Sequence, residues 1–169
     1  PMRHTLLLLR HAEATATTCG DNDFDRPLSH QGEVEAVRAA NWLNEHNRLP
    51  DHARSSAATR ARQTAGAVFG QRAIDTFNLT FDDRLYLAGL QTLLEILAET
   101  SNSVAQLLLI GHNPGLTHLL DYLAPPDALP SDRQFMTPVS IAQITFKLIL
   151  SCLLYPSDAS DDTPFLLYR

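Results

Sequence analysis

Four consecutive leucines, Leu6 to Leu9, stop abruptly at Arg10-His11. A short run with no polar alternation fits a strand covered on both faces, as in the middle of a parallel sheet. The chain then sets a guanidinium and an imidazole just past the strand's carboxyl end, the edge at which open α/β sheets bind ligands. Far along the chain the pattern returns: Leu107-Leu108-Leu109-Ile110 runs into Gly111-His112-Asn113-Pro114. Alone, either strand end reads equally as a solvated terminus or a shaped turn. Two apolar strands that each deliver a histidine at the exit constrain the fold more than anything else in the chain.

The intervening residues alternate between helix and strand patterns. Residues 14–25 are small and polar and read as a surface loop, closed by Arg26-Pro27-Leu28. Ser29 predicts the cap of a helix over 30–46, with Glu33 close enough to join a capping arrangement. Val34, Val37, Ala40, Trp42 and Leu43 form its expected apolar stripe, and Gly32 reads as a mild cost in the first turn. A short strand over 52–54 precedes Ser55-Ser56, which read as the cap of a helix over 57–69 with Gly70 beyond its end. Residues 73–79 read as a strand, 81–89 as a loop, 90–99 as a helix and 104–110 as the second strong strand. Leu116, Leu119, Leu120 and Leu123 mark a helix opening at Pro114. After a proline-rich turn over 124–130, residues 139–149 form a β-branched strand, and 165–168 a final edge strand. Residues 157–163 are acidic and loop-like. The alternation predicts an α/β fold, a three-layer α/β/α sandwich around a mainly parallel sheet.

A chain of 169 residues fits a single domain with a sizeable core, here residues 1–169, of which 147–169 carry no assignable role. Hydrophobic content of 44% and charged content of 19% are those of a folded globule. The net charge of −6 argues against a nucleic-acid partner, while leaving room for a local basic pocket. Cys19 and Cys152 form no C-x-x-C pair, and free thiols are the expectation. No secretory signal or run long enough for a membrane span stands out, and Pro1 suggests a processed or engineered start; a cytoplasmic protein without a membrane partner is expected.

Four segments are candidates to meet at one rim of the sheet: Arg10-His11, Arg26, Ser55 to Thr64, and Gly111 to Pro114. The Arg-His pair, the spacing Ser56-x-x-x-Arg60-Ala61-x-Gln63-Thr64 and the late Gly111-His112 together resemble the histidine phosphatase superfamily, the phosphoglycerate mutase-like enzymes. The words Arg26-Pro27-Leu28-Ser29 and Gly111-His112-Asn113-Pro114 are most similar to its bacterial phosphohistidine phosphatases. The resemblance covers about residues 5–146. It implies a phosphoglycerate mutase-like fold and a hydrolase in which His11 is the nucleophile and passes through a phosphoryl-histidine. Arg10, Arg60 and His112 would hold the phosphoryl oxygens, His112 as a donor if protonated, and Arg26 would lie near the pocket. A neutral imidazole suits the attack, and guanidinium forks match phosphate geometry. No metal or organic cofactor is implied. The implied partner is a phosphohistidine-carrying protein domain.

Arg62, two positions from Arg60 on the same helix, points elsewhere and reads as a surface or packing residue. His4, His30, His46, His52 and His118 read as structural or surface. The chain departs from the family pattern in two places. Ala12 stands where glycine is usual, and Asn113 stands where acid-phosphatase relatives place the proton-donating aspartate. Glu13, Asp82 and Asp83 are the candidates for that acid. A missing strong acid fits a phosphoramidate better than an alkyl ester, because a phosphorylated imidazole can leave after protonation on its own ring. The same pocket also admits a small phosphomonoester as substrate, or a module that binds phosphate without turnover.

Overall fold

Successive side chains of a strand point to opposite faces of its sheet. In the computed structural model, which describes residues 3–70, 78–129, 136–146 and 165–168, the first strand β1 (His4–Arg10) makes this visible. Leu6 and Leu8 enter one core, Leu7 and Leu9 the other, and none of the four has exposed surface. The leucine run is unbroken because both faces of the strand are covered.

Helix α1 (His30–Glu45) leads to β2 (His52–Ser56), and α2 (Thr59–Phe69) follows. Next come β3 (Asn78–Asp82), α3 (Leu90–Ala98), β4 (Gln106–Gly111), α4 (Gly115–Leu123), β5 (Ile141–Phe146) and β6 (Phe165–Tyr168). The six strands lie in the order β3-β2-β4-β1-β5-β6. The first four of that order run parallel, β5 runs antiparallel to β1, and β6 runs antiparallel to β5. Leu43, Ala61 and Ala65 from α1 and α2 join the Leu7, Leu9 and Leu108 core. Leu93 and Leu97 of α3 and Leu116 and Leu120 of α4 join the Leu6, Leu8 and Leu107 core. Helices on both faces of a mostly parallel sheet make the expected three layers. The chain steps outward from β1 to β2 and β3, then returns to place β4 between β2 and β1, and the carboxyl edge at such a reversal is where these folds bind ligands. Among the described residues no helix is long and apolar enough to cross a membrane.

Several local readings change. The buried face of α1 is Gly32, Ala36, Ala39, Trp42 and Leu43, at helical spacing, whereas Val34 and Val37 are exposed. Small residues fill the first half of that face, where Gly32 lies against the backbone of Glu13. A Cβ there would sit 1.9 Å from the carbonyl oxygen of Glu13, so the glycine is required by that approach. Glu33 makes no capping bond to Ser29. The Ser29 hydroxyl accepts from the Gly32 amide at 3.0 Å and donates to Glu13 Oε1 at 2.7 Å. Ser55 and Ser56 are the last residues of β2 and not helix caps; α2 begins at Thr59 behind Ala58, which caps nothing. Part of the loop expected over 81–89 is structured, by β3 and a 3-10 turn at Asp83–Leu85. The strand expected from Val139 begins at Ile141, because Val139 has φ of 63°, outside any strand conformation. The parts of predicted elements at 73–77, 130 and 147–149, the acidic stretch and Cys152 lie outside the described residues, whereas Cys19 is an exposed thiol.

Candidate active site

Strands β1 and β4 are adjacent and in register, with Arg10 opposite Gly111. The ladder continues one step further, the His11 amide donating to the Gly111 carbonyl at 3.2 Å. His11 and His112 therefore leave the sheet side by side, with ring centroids 4.9 Å apart. They line an open cavity of about 540 Å³ with Arg10, Arg26, Arg60, Glu13 and Asp23, a volume suited to a small-molecule group with room beyond a single tetrahedral anion.

The tautomer of His11 follows from its neighbours. Its Nδ1 lies 2.7 Å from the Ala12 carbonyl, which only accepts, so the ring proton sits on Nδ1. The Nε2 lone pair is left to face Arg60, whose Nε donates to it at 3.3 Å. Burial, with the charges of Arg60, Arg10 and Arg26 behind it and the Ala12 bond opposing, lowers the His11 pKa to about 4. At neutral pH the ring is uncharged, and Nε2 carries no proton of its own.

His112 is set by Ser56. The Ser56 hydroxyl accepts from the Ala58 amide at 3.3 Å and lies 2.7 Å from His112 Nε2. The hydroxyl meets no other acceptor among the described residues, so its proton goes to Nε2, which places the His112 ring proton on Nδ1. That Nδ1 is buried and has no partner among the described residues, the condition of a donor awaiting a ligand acceptor. Burial, reinforced by His11 and Arg60, lowers the His112 pKa to about 3. At neutral pH the His112 ring is therefore uncharged and keeps a donor in Nδ1–H.

The guanidiniums are anchored too, Arg60 and Arg26 more fully than Arg10. Arg60, 2% exposed, opens α2 and is bound by the Asp23 carbonyl on Nη1 at 2.6 Å and the Asp23 carboxylate on Nη2 at 3.0 Å. Arg26 reaches the same carboxylate from Nη2 at 2.9 Å and the Thr15 carbonyl from Nη1 at 2.7 Å. Arg10 donates to the Met136 carbonyl at 3.0 Å. Asn113 donates to that carbonyl too, at 2.6 Å, while its own oxygen accepts from the Thr117 amide and hydroxyl. Its amide is thereby committed to joining α4 to the 136–140 loop.

All of Arg10, His11, Arg26, Arg60 and His112 meet at this rim. Arg62 turns away, its guanidinium 4.1 Å over the Phe81 ring. Of the three candidate acids only Glu13 lines the cavity. Asp82 is tied to Arg54 at 3.0 Å and Arg84 at 2.8 Å, in an ion cluster completed by Glu99, and Asp83 opens the 3-10 turn. Asp23 and Tyr86 were not anticipated. The Tyr86 hydroxyl donates to Asp23 at 2.6 Å, and its ring meets His112 edge-on at 5.5 Å. Among the described residues no group of three His, Cys, Asp or Glu is placed to hold a metal ion.

Residues 6–86 match the model of the histidine phosphatase superfamily, branch 1. The uncharacterized protein Rv1276c of Mycobacterium tuberculosis is 36% identical over 116 residues, 69% of this chain and 70% of that protein. The crystal structure of a candidate phosphohistidine phosphatase SixA from Agrobacterium tumefaciens superposes with a TM-score of 0.75 at 33% identity, over 85% of this chain and 92% of that one. The chain belongs to the histidine phosphatase superfamily. A second superfamily structure, a candidate SixA from Nakamurella, reaches a TM-score of 0.80 at 25% identity over 99% of this chain and 96% of that one. The superfamily likeness thus spans the sheet, both helical layers and the strand ends that carry the histidines.

Proposed function

We propose that the protein hydrolyses phosphohistidine in proteins through a phosphoryl-His11 intermediate. The observation that carries this reading is the His11 ring itself: Nδ1 committed to Ala12, Nε2 unprotonated, and guanidiniums on the same pocket wall. Nε2 attacks phosphorus while the bond from phosphorus to the substrate's imidazole nitrogen breaks. Water then cleaves the His11–phosphorus bond and releases inorganic phosphate. The transferred group has charge on its equatorial oxygens throughout, and catalysis consists of positioning it and balancing that charge. Arg10, Arg60 and His112 Nδ1–H are the donors for those oxygens, and Arg26 stands at the wall.

The cavity's carboxylates favour a phosphoramidate over an alkyl ester. Asp23 is held ionised, its pKa far below the usual range because Tyr86, Arg26 and Arg60 all bond to it. Glu13 accepts the Ser29 hydroxyl. Carboxylates so placed are suited to stabilising a protonated imidazole as it leaves, a proton the substrate's own ring carries in. The open pocket suits a partner that presents phosphohistidine on a protein surface. A substrate panel of phosphohistidine peptide, phosphoserine peptide and sugar phosphates tests the reading, with His11→Ala as control. The expected result is turnover of phosphohistidine alone, an acid-labile and base-stable phosphoryl label on the protein, and loss of both in His11→Ala. Turnover confined to sugar phosphates, or phosphate binding without label, would replace the reading.

A further inference from the structure

Asp23 is out of place in an anion pocket, since its charge opposes the ligand. It is nevertheless the most connected residue of the wall. Its carboxylate takes bonds from Arg26, Arg60 and Tyr86, and its carbonyl takes another from Arg60. The turn that carries it is braced on both sides: Asn22 accepts from the Phe24 amide and donates to Asp25, and Arg26 returns to Thr15. With Nε on His11, the Arg60 fork is left with one hydrogen on each terminal nitrogen for a ligand. The fork is thus aimed before any anion arrives.

The charge of Asp23 does something its hydrogen bonds alone would not. Three guanidiniums line the cavity against two carboxylates, Asp23 and Glu13. Removing one carboxylate leaves the guanidiniums less neutralised and the pocket more attractive to a dianion. We propose that Asp23 is a positioning residue that fixes the Arg60 fork against His11 and, through its charge, keeps the pocket from retaining inorganic phosphate. This rests on the pocket taking a phosphoryl group, whatever leaving group the substrate carries.

The test is calorimetric binding of inorganic phosphate to Asp23→Asn and Asp23→Glu, beside kcat and KM on phosphohistidine peptide. Asp23→Asn keeps the backbone contact to Arg60 and removes the charge. Its phosphate dissociation constant should fall about five- to tenfold, a screened fraction of the Coulomb energy of one charge at this range. Its kcat should fall while KM does not rise. Asp23→Glu keeps the charge and displaces the fork, so it should lower kcat and leave phosphate affinity near wild type. Asp23 lies in a surface loop outside both cores, and melting temperatures check that both variants fold. Phosphate binding that weakens or stays unchanged in Asp23→Asn would overturn the proposal, because a brace without an electrostatic role predicts that result. Tighter phosphate in Asp23→Asn, in a protein that fails to turn over phosphohistidine, would support the role of Asp23 and reject only the substrate reading.

Discussion

Replacing Ser56 with alanine tests how the second histidine is held. Ser56 has no exposed surface, and its hydroxyl joins the Ala58 amide at 3.3 Å to His112 Nε2 at 2.7 Å. The substitution leaves two buried polar groups without a partner. At about 1–3 kcal/mol for each unsatisfied group, the predicted loss of stability is about 2–6 kcal/mol. For a domain of this size that corresponds to a melting temperature lowered by roughly 4–24 °C. The catalytic effect is separate. Without Ser56 nothing holds the ring proton on Nδ1, and the pocket loses an oriented donor for part of the population. Deleting such a donor outright costs about 10²–10³ in kcat, so a partial loss of about tenfold to a hundredfold in kcat/KM is expected. Kinetics on phosphohistidine peptide measure the rate, and ¹⁵N shifts of the His112 ring report the tautomer. Ser56→Thr keeps the hydroxyl and should recover rate even where its extra methyl costs stability. A Ser56→Ala protein that melts lower but retains wild-type kcat/KM and an Nδ1-protonated His112 would refute the reasoning.

Gly32→Ala places a methyl 1.9 Å from the Glu13 carbonyl, so α1 or the segment after His11 must shift; a loss of about 1–3 kcal/mol with reduced kcat is expected in thermal melts and kinetics. The two site histidines fold with pKa values lowered to about 4 and about 3, below the unfolded 6.5. The unfolded chain therefore binds more protons in this window, and stability should be full above pH 6.5 and fall as pH drops towards 4. Melts of His11→Ala should show a flatter pH dependence over the same range. The acid limb of kcat/KM should likewise lie well below 6.5. Asp82→Asn should leave kcat/KM within about twofold while lowering stability by about 1–2 kcal/mol, since Asp82 serves the Arg54 and Arg84 cluster away from the pocket.

The parts of this fold that could be read in the sequence are those where one physical demand dominates. Leu6 to Leu9 and Leu107 to Ile110 are strands because burial on both faces leaves no place for polar alternation. Strand adjacency was not written there. That β4 pairs with β1, bringing His112 to His11, is a property of the whole sheet. Arg10, Arg60 and His112 were named through a family resemblance, and alone each looked like an ordinary strand end or helix face. Asp23 was invisible for a related reason: Asp21, Asp23 and Asp25 look alike in a polar loop, and only the turn geometry turns one towards Arg60. Ser56 passed for a helix cap because a hydroxyl before an alanine-rich helix has the same sequence signature whether it bonds an amide or an imidazole. The face of α1 was misjudged because larger Val34 and Val37 outweighed Ala36 and Ala39 on hydrophobicity, although close helix packing favours the smaller pair.

The pairing of Arg10 with Gly111, carried on by the His11 amide, has a mechanical consequence. The His11 imidazole, the proposed nucleophile, is bolted to the central pair of strands, where amide protons should be the last to exchange with solvent. Substrates must come to a fixed anvil, and differences among them will be settled at the rim, where the 14–28 loop and Leu87 also line the cavity. Adaptation of this enzyme to a new phosphoryl donor would then proceed by redrawing that rim while the floor stays put.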